Sequence, residues 1–171
     1  MCFMATLDDK VCYVAVYVDD LLIIAPTVDL VCQIKSALNQ RFSMTDLGEV
    51  KYILCWSIER NREARTIFIH QREYACTVLD RFKQLVATPS DRNTKLTTQM
   101  QPKTQLEKEI MQDIPYREVV GSVMYLMVGT RPDLAFYMRD VSQFLANPGQ
   151  EHWKAVTRGL KYLSGTADHG L

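Results

Sequence analysis

Asp19 and Asp20 are adjacent carboxylates set between two apolar runs, Val11–Val18 and Leu21–Ala25. Like charges side by side repel, and partial burial between apolar strands raises the cost of keeping both ionised. A bound divalent cation removes both difficulties. Mg²⁺ takes one or two carboxylates together with phosphate oxygens and water. In nucleotidyl transfer two such ions, about 4 Å apart, activate the attacking hydroxyl and steady the leaving phosphate. Asp-Asp is also common in ordinary turns, where aspartate bonds its own backbone. Asp8-Asp9, beside Lys10, reads as a turn of that kind. What sets Asp19-Asp20 apart is Tyr17 two residues earlier and apolar strand on both sides.

A second feature is cationic. Arg60, Arg62, Arg65 and Arg72 fall in a segment, residues 51–95, that holds nine Lys/Arg against five Asp/Glu. Residues 1–50 hold three against seven, and residues 96–171 hold eight of each. An acidic segment followed by a basic one suits a carboxylate metal site beside a phosphate-tracking surface. The solvated faces of an ordinary domain would give the same tally. The formal net charge is zero, so any attraction to phosphate must be local.

Other residues carry less. Cys2, Cys12, Cys32, Cys55 and Cys76 are odd in number and lack zinc-ligand spacing, which indicates reduced thiols in an intracellular protein. His152-Trp153 on a helix is read as packing. Ser122 after Gly121 lacks the strand-to-helix context of a nucleophile elbow. Met124, Tyr125, Leu126 and Met127 are read as core at helical spacing.

The elements that must hold these residues follow from the pattern. Val11–Val18 and Leu21–Ala25 are two buried strands joined by a tight turn, with Pro26 ending the second. Met1–Leu7 adds a third strand through the turn Asp8-Asp9-Lys10. Thr27 or Asp29 caps a helix over 28–42, with Val31, Ile34, Leu38 and Phe42 on one face. Val50–Arg60 and Thr66–His70 form a hairpin, and Gln71–Phe82 a helix with Tyr74, Val78, Leu79 and Phe82 inward. From residue 87 the composition turns polar, and Ala87–Gln105 is a linker. Beyond it the pattern is helical: Tyr116–Val128, then a helix capped by Thr130 with Pro132 in its first turn. Another covers Gln150–Leu163, started by Asn147-Pro148 and stopped by Gly165.

No apolar run is long enough to span a bilayer. Asp8, Asp9 and Lys10 precede the first apolar run and Asp19-Asp20 interrupt it, so it reads as strand and not as an export signal.

With these residues in place, Tyr17-Val18-Asp19-Asp20-Leu21-Leu22-Ile23 resembles the palm motif of reverse transcriptases. The blocks that follow resemble the copia-type retrotransposon branch in order: Phe42–Gly48, Tyr52-Ile53-Leu54, Gln71 with Tyr74, Leu79 and Phe82, and Thr88-Pro89. Tyr116-Arg117, Val120–Leu126, Thr130–Leu134, His152-Trp153 and Tyr162–Thr166 complete the series. The resemblance implies that Asp19 is a metal ligand and Asp20 its less essential neighbour, with Mg²⁺ as the cofactor. It implies that Tyr17 and Val18 lie against a primer–template terminus. The hairpin over Lys51–His70 then resembles the element that grips the primer strand, with Lys51, Arg60, Arg62, Arg65 and Arg72 toward nucleic acid. The family has Gly where this chain has Cys55, and small residues where it has Phe136-Tyr137-Met138.

The expected fold is therefore α+β: half of a polymerase palm, an antiparallel sheet with helices, followed by a helical thumb-like lobe. The expected domains are 1–86, a linker over 87–105, and a helical lobe over 106–171. The family's third carboxylate and its fingers lie upstream of the Tyr17 motif, so two carboxylates bind Mg²⁺ only weakly. The expectation is a truncated reverse transcriptase that does not polymerise alone, and whose exposed sheet calls for a covering partner. Similar blocks also resemble secreted RxLR-type effectors of oomycete plant pathogens. In that alternative the chain is delivered to host cells, even the nucleus, and acts on host proteins. Arg-x-Leu-Arg itself is absent, and Arg62-Glu63-Ala64-Arg65 is a degenerate echo of it.

Overall fold

The computed structural model describes residues 1–7, 9–82 and 95–171. Asp8 of the expected Asp8-Asp9 turn and the part of the expected linker at 87–94, Thr88-Pro89 included, lie outside the described residues. The fold is α+β, as expected, and two compact units divide it: Met1–Ile53 and Leu54–Leu171.

The first unit is built on an antiparallel meander, β1 (Cys2–Leu7), β2 (Lys10–Tyr17) and β3 (Asp20–Ile24), in that spatial order. β-branched and aromatic residues favour this pleated arrangement. The register pairs Tyr13 with Ile24, Ala15 with Leu22, and Tyr17 with Asp20. Met4 lies opposite Tyr13 on the other side of β2. These residues therefore share one face, on which Met4, Tyr13 and Ile24 are exposed. Cys12 is buried on the opposite face. Helix α1 (Val28–Asn39) packs along β3. It stops three residues short of the expected end, so Phe42 is not part of its apolar face and stands exposed. After the helix, Asp46 accepts from Lys35 Nζ at 2.7 and 2.8 Å and from the Gly48 N–H at 2.9 Å. These bonds hold the Asp46 carboxyl below the usual carboxylate range, the Lys35 hydrogen bond acting most strongly. A short strand, β4 (Tyr52–Ile53), closes the unit.

The second unit opens with a hairpin, β5 (Trp56–Asn61) and β6 (Thr66–His70). The expected continuous strand Val50–Arg60 is broken at Leu54-Cys55, where both residues adopt left-handed backbone, φ 53° and 61°. Helix α2 (Arg72–Phe82) follows, and Ala75, Val78 and Phe82 are buried against the later helices. Sequence alone grouped α2 with the first lobe; its packing is with this unit. Next come a 3-10 turn at Thr98–Met100, α3 (Gln105–Gln112), α4 (Tyr116–Gly129), a 3-10 turn at Pro132–Leu134, α5 (Ala135–Ser142) and α6 (Gln150–Gly165). Val119, Val123, Leu126, Leu134, Met138, Val156, Leu160 and Leu163 centre the core. Helix α3 starts on a reciprocal cap: the Glu107 N–H donates to Thr104 Oγ1, and the Thr104 N–H donates to the Glu107 carboxylate.

Three polar arrangements fix this unit. Thr130 does not cap the element after it; its hydroxyl donates to buried Gln71 Oε1 at 3.1 Å. Arg131, 2% exposed, sends Nε and Nη2 to the two oxygens of Asp133 at 2.9 and 2.8 Å. Its Nη1 and Nη2 also donate to the carbonyl and hydroxyl of Thr166, both at 2.7 Å. His152 is fully buried, stacked on Phe144, and packs as the sequence indicated. Its Nδ1 accepts from the Gly149 N–H at 2.9 Å, so its Nε2 carries the proton and donates to Thr97 O at 3.1 Å. Gly149, not Asn147-Pro148, is the residue at the helix start, and Gly165 is the last residue of α6 instead of a stop beyond it. The bulky Tyr137 is accommodated by Gly159, where a Cβ would collide with the phenol ring.

Candidate metal and nucleic-acid site

The hairpin joining β2 to β3 has a two-residue tip, Val18-Asp19, closed by the Tyr17–Asp20 pair. Two-residue hairpins favour positive φ in the loop, a role suited to glycine or asparagine. Here Val18 takes it, at φ 52° and 81% exposed. A β-branched residue in that region is an outlier that costs about 1–2 kcal/mol. Strain of this kind persists where a site needs a particular backbone. Tyr17, 58% exposed, shares a face with Asp20, and both carboxylates of the tip are open to solvent. Asp9 lies at the other end of β2, a strand of eight residues and about 26 Å. Among the described residues no three His, Cys, Asp or Glu side chains gather as a metal site. Asp19 and Asp20 therefore offer a pair of ligands, and the remaining positions around a cation fall to water, phosphate or another polypeptide segment.

The cations divide. Arg60 lies on β5 opposite Ile67, and Arg62 and Arg65 lie in the turn beyond it, Arg65 with φ 55°. All three are exposed at one tip of the hairpin. Arg72 is at the opposite end, the first residue of α2, and its backbone N–H donates to His70 Nδ1 at 3.3 Å. His70 Nε2 contacts Glu59 at 3.2 Å. Lys51 is exposed in the first unit, immediately before β4. The four arginines thus form two groups, one toward each end of the hairpin. A five-residue strand, about 17 Å, separates them.

Sequence reasoning missed one participant. Tyr125, assigned to the core by its spacing, is 40% exposed, and its hydroxyl donates to Leu54 O at 2.6 Å. Its neighbours behave as expected: Leu126 is buried, and Met124 and Met127 pack against the core.

A hairpin of apolar strands with Tyr-x-Asp-Asp at its tip, in an α+β chain, resembles the palm hairpin of a polymerase. Residues 3–97 match the family described as reverse transcriptase (RNA-dependent DNA polymerase). The chain belongs to that family, in its copia-type retrotransposon branch. It is similar to the retrovirus-related Pol polyprotein from transposon TNT 1-94 of Nicotiana tabacum, 44% identical over 154 residues. That match covers 88% of this chain and 12% of the relative. It is similar to the Pol polyprotein from transposon RE2 of Arabidopsis thaliana, 38% identical over 166 residues, 95% of this chain and 11% of the relative. It is also similar, over 61 residues at 49% identity, to secreted RxLR effector protein 161 of Plasmopara viticola, covering 36% of this chain and 43% of that protein. The chain thus spans about a tenth of the length of the Pol polyproteins it matches. No solved structure matches it. Among the described residues no helix is long and apolar enough to cross a membrane.

Proposed function

We propose that this chain supplies the Asp-Asp tip and a nucleic-acid-contacting hairpin of a copia-type reverse transcriptase. Taken alone it binds Mg²⁺ weakly and does not extend a primer. The observation that carries this reading is the tip: two exposed adjacent carboxylates on a β-hairpin whose Val18 is held at φ 52°. Asp19 is the metal ligand and Asp20 its neighbour, while Tyr17 and Val18 face the primer–template terminus. Mg²⁺, when bound, supplies the charge that activates the attacking hydroxyl and steadies the leaving phosphate. Arg60, Arg62 and Arg65 at one end of the second hairpin, and Arg72 at the other, track phosphates. Lys51 adds a further cation. The exposed apolar face with Met4, Tyr13 and Ile24 is the surface a protein partner covers.

The test is primer extension by the purified chain on a primed template with Mg²⁺ or Mn²⁺, beside duplex binding by fluorescence anisotropy. The expected result is salt-sensitive binding without extension. Template-dependent extension that disappears in Asp19→Asn would refute the second half of the proposal, and absence of binding the first.

The stretch shared with the RxLR effector supports a second reading, in which the chain is a secreted effector acting on proteins inside plant cells. A host-cell phenotype that survives Asp19→Asn, with secretion from the producing cell, would favour it over the first.

A further inference from the structure

The turn Leu54-Cys55 places two successive non-glycine residues in the left-handed region. Paired left-handed residues are the geometry of a two-residue turn, a role suited to glycine or asparagine and strained for Leu and Cys. One contact on this turn comes from far along the chain. Tyr125, on α4, donates its hydroxyl to the Leu54 carbonyl at 2.6 Å, across 71 residues of sequence. The Tyr125 ring is set in turn by Tyr74 of α2, edge to face, with centroids 5.2 Å apart and planes at 77°. A short hydrogen bond from an oriented phenol thus pins the peptide that enters β5.

The place of this turn matters. Ser57 pairs with His70 in the β5–β6 ladder. Cys55 lies two residues before Ser57, and Arg72 two residues after His70, so both leave the ladder at the same end. Neither Leu54 nor Cys55 has a charge to give, so the turn offers a phosphate only its main-chain N–H groups.

We propose that Tyr125 is a positioning residue for nucleic-acid binding: its hydroxyl holds the Leu54-Cys55 turn so that the turn's backbone and the Arg72 guanidinium engage the same phosphodiester strand. This rests on the reading that the hairpin contacts nucleic acid, and the experiment separates the two. Tyr125→Phe keeps the ring against Tyr74 and removes only the hydroxyl. In the full chain, N-ethylmaleimide labelling is followed cysteine by cysteine by mass spectrometry. Exposed Cys76 serves as internal reference for half-buried Cys55. Anisotropy with a primer–template duplex is measured in parallel.

The expected result is Cys55 labelling about three- to tenfold faster in Tyr125→Phe, with duplex binding weakened by a similar factor. Adding Cys55→Gly to Tyr125→Phe restores binding, because glycine adopts the left-handed conformation without the hydroxyl. A merely structural tyrosine would show no such rescue. Unchanged Cys55 labelling overturns the proposal whatever the binding shows. Faster labelling with unchanged binding also overturns it. If the parent chain binds no duplex, the functional reading fails and the role in nucleic-acid binding with it; labelling then still decides whether Tyr125 holds the turn.

Discussion

Replacing Arg131 by lysine preserves the charge and destroys the geometry that the second unit is built around. The guanidinium spreads four hydrogen bonds from one buried position: two to Asp133, one to the Thr166 carbonyl and one to the Thr166 hydroxyl. Tyr162 closes the ring by donating to Asp133 at 3.0 Å, with the Arg131 guanidinium 5.7 Å from its ring centre. An ammonium has three donors and no planar fork, so it cannot reach both carboxylate oxygens and both Thr166 oxygens together. Losing two charge-assisted bonds at about 1.5 kcal/mol or more each gives about 3 kcal/mol for Arg131→Lys. Arg131→Met removes all four bonds, but it leaves Asp133, 37% exposed, open to water, so it should cost about 3 kcal/mol as well. In a chain of this size, about 3 kcal/mol lowers Tm by roughly 6–12 °C. Trp56 and Trp153 are the two tryptophans of the chain and both belong to the second unit, so tryptophan fluorescence in urea reads that unit alone. Asp133 adds a check. The Arg131 hydrogen bonds hold its carboxyl below the ordinary 3.8, burial opposing them. Because the folded value is the lower one, its contribution is full above 3.8 and is lost as pH falls through the folded value. Arg131→Met should flatten that acid limb. If Arg131→Lys unfolds within about 0.5 kcal/mol of the parent, a range ordinary for surface changes, the fork is not what stabilises this corner.

Two further outcomes follow from the same unit. Burial holds the His152 imidazole below its ordinary 6.5, with the Thr97 carbonyl and Glu151 acting the other way. The unfolded chain then takes up the proton first, so stability is full above 6.5 and declines as pH falls toward the folded value. His152→Gln, costing about 1–3 kcal/mol at pH 7.5, should remove that slope in urea midpoints measured from pH 7.5 to 5, and a slope that persists would acquit His152. Gly159→Ala forces a methyl into the Tyr137 ring and should cost about 1–3 kcal/mol; thermal melts should show the same cost when it is added to Tyr137→Phe and little cost when it is added to Tyr137→Ala.

The first hairpin was legible because Val11–Val18 and Leu21–Ala25 are uninterrupted apolar runs whose one polar break is the tip itself. The core faces of α2 and α4 were legible for the same reason, through helical spacing. Phe42 misled because its N–H still bonds to Leu38 O at 2.9 Å beyond the end of α1, yet its side chain stands exposed, and nothing local marks that end. The Leu54-Cys55 turn was hidden since neither residue is one that turns prefer. Its carbonyl accepts from a hydroxyl 71 residues away, a distance no local pattern reaches. Spacing also cannot separate a core tyrosine from one at the rim, which is why Tyr125 was misplaced. Helix α3 could have been found: Thr104 followed three residues later by Glu107 is a capping-box signature. For the proposed site, sequence named the candidate residues by type and spacing. Only the register showed that Arg72 stands apart from Arg60, Arg62 and Arg65.

The two units differ in what they bury. Among the described residues, Cys12 and Leu30 are the fully buried apolar side chains of Met1–Ile53, whereas fourteen such residues form the cluster in the second unit. A sheet with so small an interior has little cohesion of its own. In hydrogen exchange the amides of β2 and β3 should open early, by local unfolding, while those of α4 and α6 wait for global unfolding. The Asp19-Asp20 tip is then a conditional structure. On the proposed reading, a partner docked on the sheet would set how much of the time the two carboxylates are held in register, and assembly would act as the rheostat of metal affinity.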